Sequence, residues 1–341
     1  MSREDTNHDG SQESLDTPDA LYETVLAETQ QVLIGNEEVV EQLLIGLLTR
    51  GHVLIEGVPG VAKTTIANVF ARALGLEFSR VQMTPDILPA DITGTYIYEE
   101  HTGEFALQRG PIFTDLLVAD EINRATPKTQ SALLEAMRER TVTIRNNTLS
   151  LPDPFIVIAT QNPIEMTGTF ELPEAQRDRF QLKVTIDLPE RELEKKLVDR
   201  FDTDPYLGPD AIDQVLSKQS IIPSHQTLAD VHVAPPVVEY ILDLVEATRT
   251  HPDVAHGASP RATLAFLNAG KAKAAIRGRN YVIPDDIKAL AESILGHRLV
   301  LNADADLSDV TPAEVVDDIL DRVDPPGAGA NELGLMDGST G

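Results

Sequence analysis

The residues between Glu56 and Thr65 have the types and the spacing of a loop that binds a nucleoside triphosphate. They read Glu-Gly-Val-Pro-Gly-Val-Ala-Lys-Thr-Thr and follow the short apolar run 53–55. In such a loop, backbone N–H groups bind phosphate oxygens, the lysine reaches the β- and γ-phosphates, and the next hydroxyl binds Mg²⁺. The predicted nucleotide-binding residues are Gly57, Val58, Pro59, Gly60, Val61, Ala62, Lys63, Thr64 and Thr65, and Thr64 is also a predicted metal ligand.

One position of this loop departs from the usual G-x-x-x-x-G-K-[ST] pattern. Ala62 stands where the second glycine is expected. A methyl group is tolerated there only if the φ angle stays negative, because positive φ favours glycine. We therefore expect a negative φ at Ala62.

A second run, 113–119, is mostly apolar and ends in the carboxylates Asp120 and Glu121. A continuous apolar run is typical of a buried parallel strand, and the carboxyl ends of such strands form the ligand-binding edge of the sheet. Asp120 is predicted to hold Mg²⁺ through water, and Glu121 to orient and deprotonate the attacking water. The loop alone could be an ordinary Gly/Pro turn, but together with the acidic pair it predicts a nucleoside triphosphate and Mg²⁺ as ligands.

The chain is strongly acidic. Its 341 residues contain 28 Lys and Arg against 55 Asp and Glu, which gives a net charge of −27. The excess is spread along the chain and only nine of the basic residues are lysines. Two explanations stay open: the surface of a protein from a high-salt cell, such as a halophilic archaeon, or an acidic face for one partner. The even spread favours the first, and either disfavours non-specific binding to nucleic acid or anionic membranes.

The remaining composition favours a cytoplasmic protein. Cysteine is absent, so disulfides and thiolate metal sites are excluded. No apolar run is long enough to span a membrane, and the polar, acidic start of the chain does not resemble a signal peptide. We expect no membrane span.

Alternating strand and helix patterns up to residue 188 predict a parallel sheet built from βαβ units. Helical patterns without a core strand follow. The predicted domains are a disordered acidic tail over 1–20, an αβα nucleotide-binding core over 21–188, a helical lid over 189–302 and an acidic, mostly disordered tail over 303–341. Two β-hairpins are predicted inside the core, near 94–112 and 141–151.

The order of these and further motifs resembles the AAA+ ATPases and, within them, the MoxR family. The resemblance extends roughly over residues 32–300. Its motifs are the stretches 56–64, 82–94, 119–125, 159–163 and 257–262. It implies an α/β fold: a P-loop NTPase αβα parallel-sheet core of AAA+ type with a C-terminal all-helical lid domain. An alanine before the loop lysine is also usual in this family.

The resemblance assigns catalytic roles to four residues. Asn162 resembles the sensor-1 residue, which holds the attacking water and the γ-phosphate. Arg179 resembles the arginine finger that enters a neighbouring subunit's site, but Arg177 occupies a usually apolar position, so either arginine could insert. Arg261 resembles sensor 2 and is expected to contact its own subunit's nucleotide. Each also has a structural alternative: a turn cap for Asn162, surface ion pairs for Arg177 and Arg179, and an ordinary helix residue for Arg261.

Ile34 and Gly35 match the family's contact to the adenine base. The expected function is Mg²⁺-dependent ATP hydrolysis in a ring, most simply a hexamer, that drives chaperone-like remodelling or maturation of protein complexes. The resemblance implies partners with von Willebrand factor A domains. Alternatives are a magnesium-chelatase-like motor subunit, a nucleic-acid translocase related to replicative helicases, or a non-enzymatic binding module. Either hairpin could face a ring channel or a partner.

A basic cluster near 271–279 would suit the translocase. It contains Lys271, Lys273, Arg277 and Arg279. No aromatic residues interleave it, however, and the chain is acidic. We therefore expect a solvated helix face that pairs with acidic neighbours.

Overall fold

The elements below come from a computed structural model that describes residues 17–163 and 168–327. The strands are β1 (Val53–Gly57), β2 (Phe78–Gln82), β3 (Gly94–Glu99), β4 (Glu104–Arg109), β5 (Leu116–Asp120), β6 (Thr141–Ile144), β7 (Asn147–Ser150), β8 (Ile156–Gln161), β9 (Leu182–Ile186), β10 (Val254–His256) and β11 (Val300–Leu301). The α-helices are α1 (Pro18–Thr29), α2 (Glu37–Leu48), α3 (Lys63–Ala73), α4 (Pro89–Thr93), α5 (Pro127–Glu139), α6 (Glu174–Arg177), α7 (Arg191–Thr203), α8 (Lys218–Asp230), α9 (Pro235–Thr250), α10 (Pro260–Ile276), α11 (Pro284–Leu295), α12 (Ala303–Leu307) and α13 (Pro312–Arg322).

Five strands form one parallel sheet in the order β2-β5-β8-β1-β9. Side chains alternate between its two faces. Val118 and Ile158 pack into one hydrophobic cluster, whereas Leu117 and Val157 pack into another. The first cluster continues without a break into the lid helices. Apolar side chains on both faces explain why these strands read as continuous apolar runs.

Two β-hairpins, β3–β4 and β6–β7, belong to the core and touch each other. Asn147 Nδ2 donates a hydrogen bond to Tyr96 Oη at 2.5 Å. The guanidinium carbon of Arg145 lies 4.5 Å from the ring centre of Phe105. The β3–β4 hairpin exposes the apolar side chains Ile97, Tyr98 and Phe105. The two hairpins therefore form one joined surface rather than two separate decorations.

The helical lid continues beyond residue 302, so the prediction of a disordered tail from 303 is wrong for 303–323. Helix α13 buries Val315, Val316 and Ile319 against α9 and α11. A capping box starts it, in which Glu314 N donates to Thr311 Oγ1 at 3.2 Å. Apolar spacing on one helix face outweighed the acidic composition. Residues 1–16 and 328–341 of the predicted tails lie outside the described residues, and α1 already begins at Pro18.

Most of the basic cluster near 271–279 joins helices to one another. Lys273 on α10 and Arg277, the C-cap residue of α10, both form ion pairs with Glu41 on α2, each at 2.5 Å. Glu41 is only 4 % exposed. Arg279 pairs with Asp286 at 2.6 Å. These three cations pair with acidic residues of the same chain, as expected for this helix face. The structure therefore gives the translocase alternative no support at this cluster.

None of the helices in the described ranges is long and apolar enough to cross a bilayer.

Glu41→Gln is expected to lower the free energy of unfolding by about 3 kcal/mol, because it leaves two cations beside a buried position without their counter-ion. Chemical denaturation at molar KCl measures this loss. Glu23→Gln, an exposed carboxylate on α1, is the control and should change stability by less than about 0.5 kcal/mol. Equal stability of the two variants would contradict the assigned role of Glu41.

Candidate functional site

A cavity of about 440 Å³ lies at the carboxyl ends of the central strands. The loop after β1 supplies residues 59–65, the end of β5 supplies Asp120 and Glu121, and Asn162 follows β8. These strands are neighbours in the order β5-β8-β1, so parallel pairing places their ends side by side. Distant parts of the sequence thus line one cavity.

The backbone of the loop is shaped for close approach. A Cβ on Gly57 would lie 2.6 Å from the carbonyl oxygen of Ile186, so only glycine fits there. Gly60 has a φ of +92° and faces open space, with nothing within 4 Å of a Cβ placed on it. The loop leads directly into the N-terminus of α3, whose partial positive charge attracts anions.

The expectation of a negative φ at Ala62 is wrong. Its φ is +59°, in the left-handed region, directly before the first residue of α3. The turn into the helix requires this conformation, and the methyl group makes it cost about 1–2 kcal/mol relative to a right-handed residue. The loop therefore stores backbone strain beside its lysine.

Lys63 and Thr64 point toward groups of the same cavity. Lys63 Nζ donates hydrogen bonds to the carbonyl oxygens of Gly57 and, at 3.0 Å, Val58. Partial burial lowers the pKa of Lys63, and the charges of the two nearby carboxylates oppose this shift. Thr64 Oγ1 donates to Asp120 Oδ2 at 2.9 Å. A hydroxyl and a carboxylate side by side are the oxygen ligands that Mg²⁺ prefers.

Two residues that the sequence analysis did not identify hold the Asp120 carboxylate. Arg80 Nη2 donates to Asp120 Oδ2 at 2.6 Å, and Thr160 Oγ1 donates to Oδ1. Burial alone would raise the pKa of Asp120, but hydrogen bonds from Thr160, Arg80 and Thr64 outweigh it and the pKa is lowered. The carboxylate therefore stays charged. No local sequence pattern marks Arg80, which reaches the site because β2 pairs with β5.

The Glu121 carboxylate is held by a third unpredicted residue. Gln82 Nε2 donates to Glu121 Oε2 at 2.7 Å, and Arg124 Nη1 lies 3.2 Å from the same oxygen. Glu121 itself has a φ of +57°, and its backbone N–H donates to Thr160 Oγ1 at 2.9 Å. A strained backbone of this kind at a carboxylate is typical of functional sites.

Ile34 and Gly35 do not line the phosphate-side cavity. They line a second cavity of about 990 Å³, which Leu193 and Arg200 of α7 close from the other side. Gly35 has a φ of +73°, and a Cβ there would lie 2.7 Å from Leu193 Cδ1. Because α7 follows β9, the neighbour of β1, both cavities lie at the same edge of the sheet. The adenine contact stays a prediction.

The three arginines lie at the opposite end of the sheet. Residues 177–179 precede β9, whose first residue pairs with the first residue of β1. Arg261 Nη1 lies 3.8 Å from Asp178 Oδ2, which places Arg261 at the same end. The five-residue strand β1 separates this end from the phosphate-binding loop by about 16 Å. The expectation that Arg261 contacts its own subunit's nucleotide is therefore wrong for this conformation.

Arg179 and Arg177 both lack a counter-ion. Neither forms an ion pair with any residue of the described ranges, whereas Arg261 lies near Asp178. Burial, followed by the charges of Arg138 and Arg261, lowers the pKa of Arg179, whereas the acidic residues of α5 raise it. In contrast, Arg177 has its Nε buried without a hydrogen-bond partner in the described part of the chain. An unpaired guanidinium among other cations favours an anion as its partner.

Ala62→Gly is expected to raise the free energy of unfolding by about 0.5–1 kcal/mol, because relief of strain exceeds the extra chain entropy of glycine. Thermal or chemical unfolding without nucleotide measures the change. Ala67→Gly, at a right-handed position within α3, is the control and should destabilise by about 1 kcal/mol or more. A loss of stability in both variants would argue against strain at Ala62.

Two family models match the chain in the order that the structure shows. The model described as ATPase family associated with various cellular activities (AAA) matches residues 52–182. The model described as AAA lid domain matches residues 246–319. The first contains four of the five strands of the parallel sheet (β1, β2, β5 and β8) and ends at the first residue of β9. The second contains the lid helices α10 to α12 in full.

Proteins similar to this chain over most of its length bear MoxR names. It is 43% identical over 326 residues to Chaperone MoxR1 of Mycobacterium tuberculosis, covering 93% of this chain and 85% of that protein. It is 32% identical over 319 residues to Protein MoxR of Methylorubrum extorquens, covering 87% and 91%. A crystal structure of a protein from Cytophaga hutchinsonii matches with a TM-score of 0.82 and 38% identity, covering 90% of this chain and 96% of that one.

These matches confirm the predicted α/β core with a helical lid. The chain belongs to the MoxR family of AAA+ ATPases.

Proposed function

We propose that this protein hydrolyses ATP with Mg²⁺ in a ring of identical subunits, most simply a hexamer, and uses the reaction to remodel or mature other protein complexes. Family membership implies ATP hydrolysis. The observation that carries the proposal is the single cavity that gathers Lys63, Thr64, Asp120 and Glu121.

The residues of the cavity fit Mg²⁺ and a triphosphate. Thr64 Oγ1 and Asp120 Oδ2 lie 2.9 Å apart and offer oxygen ligands, and hydrogen bonds keep the carboxylate charged. Bound Mg²⁺ would neutralise charge on the phosphate oxygens during transfer. Lys63 would exchange its two loop carbonyl acceptors for phosphate oxygens, and the open space at Gly60 lets the phosphates approach the loop backbone.

Glu121 is the proposed general base. Its Oε2 takes the hydrogen bonds from Gln82 and Arg124, whereas Oε1 accepts none from the residues described. Oε1 is therefore the oxygen that can accept a proton from water in the cavity. Asn162, at the end of the adjacent strand β8, would hold the same water. The bond from Gln82 keeps the carboxylate at the β2 side until substrate binding competes for it.

Arg179 and Arg261 are proposed to act on a neighbouring copy's nucleotide. They lie at the end of the sheet opposite their own phosphate-binding loop, so within this conformation their own site is out of reach. We assign Arg179 rather than Arg177 as the arginine finger, because Arg179 occupies the position that resembles the family's finger and Arg177 has its Nε buried. Each complete site then needs two copies.

A chaperone-like role is supported by the name of the relative Chaperone MoxR1 and by the exposed apolar surface of the two joined hairpins. We propose that this surface contacts a protein client or a partner with a von Willebrand factor A domain. The net charge of −27 would oppose assembly at low ionic strength, where screening is weak. Assembly at high salt suits the proposed high-salt source.

Glu121→Gln is expected to lower ATP turnover at least about 100-fold while nucleotide binding persists, because the amide cannot accept the proton of the attacking water. Phosphate release at molar KCl, read beside particle mass from light scattering, measures both turnover and assembly. The exposed variant Glu23→Gln serves as the control and should keep the wild-type rate. Unchanged turnover in Glu121→Gln would remove Glu121 as the base.

Mixing Arg179→Ala with Lys63→Ala subunits is expected to restore turnover that neither variant has alone. The first retains its loop and the second retains its finger, so random assembly makes about a quarter of the contacts between copies complete. Loss of an arginine finger costs on the order of 10³–10⁵ in rate, so the recovered signal stands far above background. A mixture as inactive as its components would contradict a finger supplied by the neighbour.

A further inference from the structure

Asp178 lies between the two candidate finger arginines, and its carboxylate joins the core to the lid. Asp178 Oδ1 accepts a hydrogen bond from Arg298 Nε at 2.8 Å, and Oδ2 accepts one from Ser259 Oγ at 2.9 Å. Ser259 is the N-cap of α10, and Arg261 stands in the first turn of that helix. One carboxylate therefore bonds directly to the lid helix that carries Arg261, while its own backbone leads into Arg179.

The contacts of Asp178 with Ser259 and Arg298 form a joint between core and lid, and Arg298 supplies most of its hydrogen bonds. The side chain of Arg298 is 3 % exposed, and Nη2 donates to the carbonyl oxygen of Phe180 at 2.7 Å. Nη1 donates to the carbonyl oxygens of Gln181, at 3.2 Å, and Ile294. The planar guanidinium therefore binds the residues on both sides of Arg179, a pattern that a lysine cannot reproduce.

The joint depends on few interactions. Burial lowers the pKa of Arg298, and the Asp178 carboxylate raises it. Removal of that carboxylate would leave a buried cation without a counter-ion. One further hydrogen bond joins lid and core here, between His297 Nε2 and the carbonyl oxygen of Phe180 at 3.1 Å. Four other polar atoms nearby lie buried without a hydrogen-bond partner among the described residues: Gln176 Oε1, Arg177 Nε, Gln181 Nε2 and His297 Nδ1.

The Asp178 carboxylate also faces the second arginine of the proposed pair. Its Oδ2 lies 3.8 Å from Arg261 Nη1, so the carboxylate supplies negative charge beside that guanidinium. The charge of Arg261 in turn is one cause of the lowered pKa of Arg179.

We propose that Asp178 and Arg298 are positioning residues, which fix Arg179 and Arg261 as one unit so that both arginines reach a neighbouring copy's nucleotide together. This rests on the proposed function, in which those arginines act between copies. The alternative is that the joint only stabilises the docking of the lid.

Asp178→Asn separates the two roles, since it keeps the side-chain volume and an acceptor for Ser259 but removes the charge. We expect turnover of this variant alone to fall at least about 10-fold, with binding of a fluorescent ATP analogue unchanged within about twofold. Mixed with Lys63→Ala subunits, it should recover to about a quarter of the wild-type rate. In a quarter of the contacts, the intact phosphate-binding loop of Asp178→Asn then faces the intact Asp178 and Arg179 of a Lys63→Ala subunit. Mixed with Arg179→Ala subunits, it should not recover.

Asp286→Asn is the matched control. Asp286 is a buried carboxylate of the lid that pairs with Arg279 at 2.6 Å, away from the joint. It should lose stability but keep turnover per assembled ring. Ser259→Ala is the milder variant in case Asp178→Asn does not fold, since a lost cap costs only about 1 kcal/mol. It should show a smaller loss of turnover that Lys63→Ala subunits also rescue.

Three outcomes would overturn the inference. Wild-type turnover in Asp178→Asn would show that the joint does not position the arginines. Failure of Lys63→Ala to rescue Asp178→Asn and Ser259→Ala, while it rescues Arg179→Ala, would leave the joint a purely structural role and keep the proposed function. Failure of the Arg179→Ala mixture itself would remove the action between copies and, with it, the basis of this inference.

Discussion

Parallel alignment of the five sheet strands is the constraint on which the rest of the molecule depends. Because all strands run the same way, the sheet has two chemically different ends. The carboxyl end brings together the phosphate-binding loop, the acidic pair and Asn162, and the amino end carries Arg179. In the proposed function, each end of the sheet would supply half of a catalytic site. Head-to-tail contacts between copies would bring the two halves together, and such contacts close into rings when the rotation allows.

Scarce positive charge is concentrated where parts of this acidic chain meet. Lys273 and Arg277 neutralise a buried carboxylate between α10 and α2, and Arg298 joins the lid to the segment before β9. Arg80 performs a similar task for Asp120 within the cavity. In a chain of net charge −27, each of these cations faces an excess of possible partners, so its burial beside one carboxylate sets which contact forms. Electrostatic specificity, rather than added stability, is the main contribution of these pairs.

Local signals in the sequence were sufficient for Lys63, Thr64, Asp120 and Glu121, because each stands at a strand end beside a short, distinctive pattern. They were insufficient for Arg80 and Gln82, which become part of the site only through the lateral pairing of β2 with β5. The location of Arg261 depends on how the lid docks, and no local pattern encodes that angle. At Ala62 the turn into a helix imposes a positive φ, which the steric preference of alanine alone would not predict. Over 303–323 the prediction gave the acidic composition more weight than the apolar periodicity, and the structure follows the periodicity.

The hydrophobic cluster on one face of the sheet extends through α1 and α2 into the lid without interruption. Core and lid are therefore unlike two bodies joined by a hinge, and they should melt as one cooperative unit. Closely packed helices can slide past one another by small amounts, which is a shear motion, but they do not separate about a hinge. In the proposed function, we therefore expect the motion that follows phosphate release to be mainly a rotation between adjacent copies, with each subunit moving as a nearly rigid body.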